Sequence, residues 1–142
     1  MDRLSQDRRS WNMGQIRGTD TKPEIIVRSY LHREGLRFRL HERRLPGRPD
    51  IVLKKYRAVV FVHGCFWHRH PGCKYAYTPK SRVDFWAKKF ADNVRRDAYV
   101  IEQLQALAWR TFVVWECQVE TETLSHLVEK LRLLPRSKSP GA

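Results

Sequence analysis

The stretch Asp50-Ile51-Val52-Leu53-Lys54-Lys55-Tyr56-Arg57-Ala58-Val59-Val60-Phe61-Val62-His63 decides the fold. Two runs of branched and aromatic residues flank a short, mostly polar connection, which is the pattern of two buried strands joined tightly into a hairpin. Asp50 stands at the start of the first strand and His63 just past the end of the second. In an antiparallel pair those two ends lie side by side.

Upstream of the hairpin, Leu45-Pro46-Gly47-Arg48-Pro49 is rich in turn formers, and Leu36-Arg37-Phe38-Arg39-Leu40 alternates strictly, as a half-buried strand does. Thr21-Lys22-Pro23-Glu24 reads as a helix start: Thr21 caps, Pro23 suits the first turn, and Glu24 takes the capping-box position. Ile26, Val27, Tyr30 and Leu31 follow helical spacing, and Gly35 is the stop. Downstream, residues 63–80 are irregular and loaded with Cys, His, Gly and Pro. A long helix is predicted over residues 82–107, with Phe85, Phe90, Val94, Ile101 and Leu104 on or near one face. Residues 111–115 form another buried strand and residues 120–133 a last helix. The order implies an α/β fold, a central mixed β-sheet flanked by helices. Residues 1–20 read as a polar N-terminal arm carrying Trp11 and Met13, residues 21–134 as one domain, and residues 135–142 as a disordered tail.

A chain of 142 residues, 42% hydrophobic, supports one core. The longest apolar run, Ala58 to Val62, is a strand's length and far short of a membrane span. The first ten residues are polar and mixed in charge, without a signal-peptide core, so a cytoplasmic protein is expected. Lys and Arg total 28 against 15 Asp and Glu, a net charge of +13. That excess points to a polyanion such as nucleic acid. Three cysteines without a secretion signal argue for thiols or a metal rather than a disulfide framework.

Three constellations carry chemistry. Cys65, His70 and Cys73 lie within nine residues, and Cys117 follows the last strand, a set suited to tetrahedral Cys3His zinc. His68 reaches the same place, so the residues alone leave the histidine ligand open. Asp50, behind Pro49 at the mouth of the hairpin, is where restriction-type nucleases place a carboxylate for a divalent ion. The following strand supplies neither the second acid nor the lysine usual there, since Phe61, Val62 and His63 occupy those places. A backbone carbonyl as second ligand and a histidine as base would fill the gap. Phe66-Trp67, in a polar loop, and Trp86, near Lys88 and Lys89, read as exposed aromatics able to wedge between base pairs.

The runs Leu45-Pro46-Gly47-Arg48-Pro49-Asp50, His63-Gly64-Cys65-Phe66-Trp67-His68 and Val114-Trp115-Glu116-Cys117 closely resemble the very short patch repair (Vsr) DNA mismatch endonucleases. The resemblance extends from Asn12-Met13 to Cys117. It implies a restriction-endonuclease-like fold with a structural zinc loop, and magnesium-dependent nicking of one strand 5′ to the thymine of a T:G mismatch, the product of 5-methylcytosine deamination. By position it implies Asp50 and the Val62 carbonyl as Mg2+ ligands, His68 as the catalytic histidine, and His63, Glu24 and Asp97 as supporting catalytic residues. It assigns zinc to Cys65, His70, Cys73 and Cys117. Phe66, Trp67 and Trp86 become a major-groove wedge, with Lys89 and Asn93 as further DNA contacts and Met13 the minor-groove insertion. The implied partners are double-stranded DNA with a T:G mismatch and mismatch-repair proteins, met by a monomer. Two departures stand out: Val62 stands where a familiar member of the family has threonine, and Arg69, Pro71 and Gly72 leave one extra residue before Cys73. A restriction-type endonuclease without mismatch specificity, or a non-catalytic zinc DNA-binding module, are the alternative readings.

Overall fold

The structure, a computed structural model, describes residues 21–136. Helix α1 (Lys22–Arg33) is followed by β1 (Arg39–Leu40), β2 (Ile51–Leu53) and β3 (Ala58–His63). The long helix α2 (Val83–Ala106) leads to β4 (Arg110–Trp115) and then to α3 (Thr121–Arg132). The strands form one mixed sheet in the order β1-β2-β3-β4, antiparallel except for the parallel β3–β4 pair. Parallel neighbours need a crossover, and α2 supplies it.

The hairpin pairs Ile51 with Val60, Val52 with Val59 and Leu53 with Ala58. A single 3-10 turn over Lys54–Tyr56 closes it, ending on Arg57 in the left-handed region (φ +48°). Successive side chains point to opposite faces. Ile51, Leu53, Ala58 and Val60 therefore join Val27 and Leu31 of α1 and Leu124, Leu127, Val128 and Leu131 of α3 in one core. Val52, Val59 and Phe61 face the other way and meet Leu104, near the end of α2, and Trp109, just beyond it. Helices cover both faces, which is why these strands are apolar at nearly every position rather than alternating. The expected α/β class with a central mixed sheet is thus observed.

Three details differ from the sequence reading. The predicted strand over residues 36–40 pairs only at Arg39 and Leu40. Arg39 already sits opposite Val52, so residues before Phe38 run past the end of β2 and find no ladder partner. In α1, Val27 and Leu31 are buried but Ile26 is 41% exposed, while the inner face is completed by Glu24. In α2, Phe90 and Leu104 are buried as expected, whereas Phe85 and Val94 are exposed. Among the described residues no helix is long and apolar enough to cross a membrane. Met13 and the rest of the arm, like residues 137–142, lie outside the described residues.

Candidate active site and metal centre

Backbone geometry delivers Asp50. Gly47 and Arg48 both adopt left-handed conformations (φ +71° and +49°), turning the chain sharply before Pro49. Asp50 then lies across from the end of β3, where its Oδ2 accepts the Val62 amide at 2.7 Å. A strand residue points its N–H and C=O to the same side, so the Val62 carbonyl also faces Asp50.

Glu24 comes from α1. Thr21 Oγ1 accepts the Glu24 amide at 3.4 Å, half of the expected capping box. The Glu24 side chain goes inward, with Oε2 at 2.8 Å from His41 Nε2 and 3.0 Å from an Arg28 guanidinium nitrogen. His41, the residue after β1, donates its amide to the Asp50 carbonyl at 3.1 Å. Donor atoms of Glu24, His41 and Asp50 all lie within 4.8 Å of one another. Burial pushes the Asp50 carboxyl up to about 6; the Val62 amide opposes this and the Glu24 charge adds to it. His41 was missed in the sequence, although the β1–β2 register, with Leu40 opposite Ile51, carries it to Asp50.

On the other side of Val62 stands a histidine pair. The His63 and His68 rings stack at 3.8 Å with only 4° between their planes, and His68 Nδ1 lies 2.6 Å from Asp97 Oδ2. Burial and the neighbouring His68 bring the His63 imidazole down to about 4, partly offset by Asp97, so the ring is neutral near pH 7. One cavity of about 690 Å³ opens onto both groups, with Glu24, Asp50, Val62, His63, His68 and Asp97 in its wall. Arg48, Lys89, Asn93 and Arg96 line it as well.

Behind the histidine pair, Cys65, His70, Cys73 and Cys117 bring their donor atoms within 4.8 Å of one another. His70 Nδ1 is 3.7 Å from Cys65 Sγ and 3.3 Å from Cys117 Sγ. Ligands on a tetrahedral ion at zinc-like bond lengths stand about 3.6 Å apart, so the donor set fits such an ion. Burial pushes the buried Cys65 thiol up to about 12, which a bound cation would reverse. Trp115 joins the two centres: it stacks on His70 at 4.2 Å and meets the edge of His63 at 5.3 Å. His68 instead contacts Asp97 and stands outside this group of four donors.

The aromatic set is packed rather than splayed into solvent, correcting the expectation of exposed rings. Trp67 is 9% exposed, and Phe66 and Trp86 are half-buried. Phe66 contacts Trp67, Tyr77, Trp86 and Phe90, with ring centroids 5.0–5.5 Å apart. Asn93 donates to the Trp67 carbonyl at 3.2 Å. Arg69, noted in the sequence only for lengthening the loop before Cys73, donates to the carbonyls of Phe66, Ala76 and Tyr77 at 3.2, 2.8 and 3.0 Å, and its guanidinium lies 3.8 Å from the Phe90 ring centre.

Comparison with known proteins agrees with this geometry. Residues 1–74 match the family model for DNA mismatch endonuclease Vsr. The chain is 45% identical over 126 residues to the DNA mismatch endonuclease Vsr of Escherichia coli, covering 87% of this chain and 80% of that one. The chain belongs to the Vsr family. It is also 50% identical over 131 residues to the Type II nicking enzyme V.XorIIP of Xanthomonas oryzae pv. oryzae, with 92% and 94% of the two chains covered. A Type II nicking enzyme of Neisseria meningitidis, V.NmeAIP, is 40% identical over 136 residues, covering 92% and 96%. This Vsr-family protein is a DNA endonuclease, a hydrolase, and the cavity between Asp50 and His68 is its candidate active site.

Proposed function

We propose that this Vsr-family endonuclease nicks one strand of duplex DNA 5′ to the thymine of a T:G mismatch. The observation that carries the reading is the convergence of two unlike clusters in one cavity. The acidic one is built around Asp50, and the histidine pair is held by Asp97. Asp50 and the Val62 carbonyl are the proposed ligands of Mg2+, which supplies Lewis-acid polarisation of the phosphoryl oxygen and neutralises charge in the transition state. Valine at position 62 is compatible with this reading, because a backbone carbonyl needs no side-chain hydroxyl.

His68 handles the proton. With its Nδ1–H donated to Asp97, Nε2 carries the lone pair that accepts a proton from the attacking water. His63, uncharged and stacked on His68, supports the ring without adding a second positive charge. Glu24 orients the acidic side of the site. Zn2+ is the proposed ion of the Cys3His set, where it supplies structure to a long irregular loop. Phe66, Trp67 and Trp86 are the proposed wedge, entering from the major groove with Lys89 and Asn93 beside them, and Met13 on the arm enters from the minor groove. Their packing in one aromatic cluster supports a preformed stacking surface, and unstacking costs least at a mismatch. Function as a monomer, recruitment of mismatch-repair proteins and a cytoplasmic location complete the reading.

The alternative of a non-catalytic zinc module falls with family membership. A restriction-type enzyme without mismatch specificity is separated by one experiment: Mg2+-dependent nicking of paired duplexes that differ only in T:G versus C:G. Preference for T:G with a 5′ nick at the thymine is expected; equal cutting of both duplexes would overturn the specificity. Asp50→Ala should abolish nicking and leave duplex binding largely intact.

A further inference from the structure

Beside the proposed Mg2+ carboxylate stands a nitrogen donor that the reaction as described does not use. His41 sits in the left-handed region (φ +49°), uncommon for a residue with a side chain, and is held there by the hydrogen bond that its backbone N–H donates to the Asp50 carbonyl. Its Nε2 is 2.8 Å from Glu24 Oε2, and Glu24, His41 and Asp50 donors fall within 4.8 Å. Adjacent ligands of an octahedral ion with bonds of about 2.1 Å stand about 3.0 Å apart, so this spacing suits two positions of one coordination sphere. Glu24 is 2% exposed, and Arg28 on its Oε2 offsets one of the two carboxylate charges. A neutral imidazole therefore leaves the cluster one net negative charge, favourable for a dication.

We propose that Glu24, His41 and Asp50 form a single mixed oxygen–nitrogen cation site, and that the His41 imidazole makes it prefer Mn2+ to Mg2+. Mg2+ is served by oxygen donors and gives up water reluctantly, whereas later divalent ions gain more from imidazole. The inference rests on the reading of Asp50 as a metal ligand and deepens it, since it fixes the class of ion.

The test is binding of Mn2+ alone to the full chain without DNA, read from loss of the free-ion EPR signal, with Mg2+ as competitor. Wild type should hold Mn2+ more tightly than Mg2+. His41→Gln, which offers an oxygen in place of the nitrogen, should remove that preference while leaving Mg2+ affinity within about twofold. His41→Asn, better suited to the left-handed backbone, should do the same and guards against misfolding of the first variant. An unchanged Mn2+:Mg2+ ratio in both variants means that His41 only hydrogen-bonds Glu24, and overturns the proposal, as does a folded wild type that takes up no Mn2+. Nicking of a T:G duplex, measured separately, keeps the two readings apart. His41-dependent Mn2+ binding without nicking would sink the mismatch function and leave the cation site standing.

Discussion

The proposed chemistry at single residues depends on which atoms are held and which are left for the substrate. In the proposed mechanism Asp97 acts through His68, holding its ring by the 2.6 Å contact to Nδ1. Asp97→Asn should lower the single-turnover nicking rate by roughly 10²-fold, the scale of general base catalysis, with duplex affinity unchanged. A rate within a few-fold of wild type would remove Asp97 from the mechanism. Asp50 makes a different prediction. Its carboxyl is pushed up to about 6 in the fold. Its contribution to stability is therefore present below the ordinary aspartate value near 3.8 and is lost as pH rises through about 6. In the absence of added divalent cations, Asp50→Asn should then be more stable than wild type at pH 7.5 by about 2 kcal/mol, an advantage that vanishes near pH 4. His63 has the opposite sign: its stabilisation is present above its ordinary value of 6.5 and lost as pH falls toward 4. That trend is common to both proteins, so it cancels in their difference, which denaturant melts at several pH values would read directly.

Among the elements, the turn before β2 is the part least tolerant of change. At Gly47 (φ +71°), an added Cβ would stand 2.2 Å from Val100 Cγ1 on α2. Val is stiff at χ1, so the clash cannot be relieved by a simple rotation. Gly47→Ala should cost about 1–3 kcal/mol in chemical denaturation and lower nicking by displacing Asp50. The loop over residues 74–78 is held by Arg69, and Arg69→Ala should speed protease cleavage within it. Arg69→Lys should not rescue, because a compact ammonium lacks the planar fork that reaches carbonyls from two separate nitrogens while covering the Phe90 ring. Much of this was legible in the sequence. Continuous apolar runs marked the hairpin, and its antiparallel register brought Asp50 to the end of β3, where it accepts the Val62 amide one residue before His63. The inner face of α2 was less legible. It runs from Trp86 and Phe90 through half-buried Asn93 and Asp97 to Val100 and Leu104. Periodicity treats polar positions as solvent-facing, so the point where that face borders the cavity was hidden. Glu24 was hidden similarly, as a capping position whose side chain was diverted to His41. His41 itself carried no local signal; only the pairing of Leu40 with Ile51 reveals it.

For the whole molecule, charge and cavity have to be considered together. The net charge of +13 draws the chain to any duplex, and such attraction carries no sequence information. Specificity must come from the site, where the aromatic cluster, the acidic cluster and the histidine pair surround one cavity. Arg96 and Arg48 line that cavity but sit outside both clusters of titratable donors, which makes them candidates for holding phosphates rather than reading bases. Arg96→Ala should therefore weaken T:G and C:G duplexes by the same factor. Removing one phosphate-neutralising charge should also flatten the dependence of log affinity on log salt by about 1. Trp86→Ala should do the reverse, leaving the salt slope unchanged while reducing the T:G preference in nicking, because a stacking ring releases no counterions. Salt titrations of both variants on the paired duplexes decide the matter. If Arg96→Ala changed the preference and Trp86→Ala changed the slope, the division of labour between charge and wedge would be wrong, and mismatch discrimination would have to reside in the basic lining of the cavity.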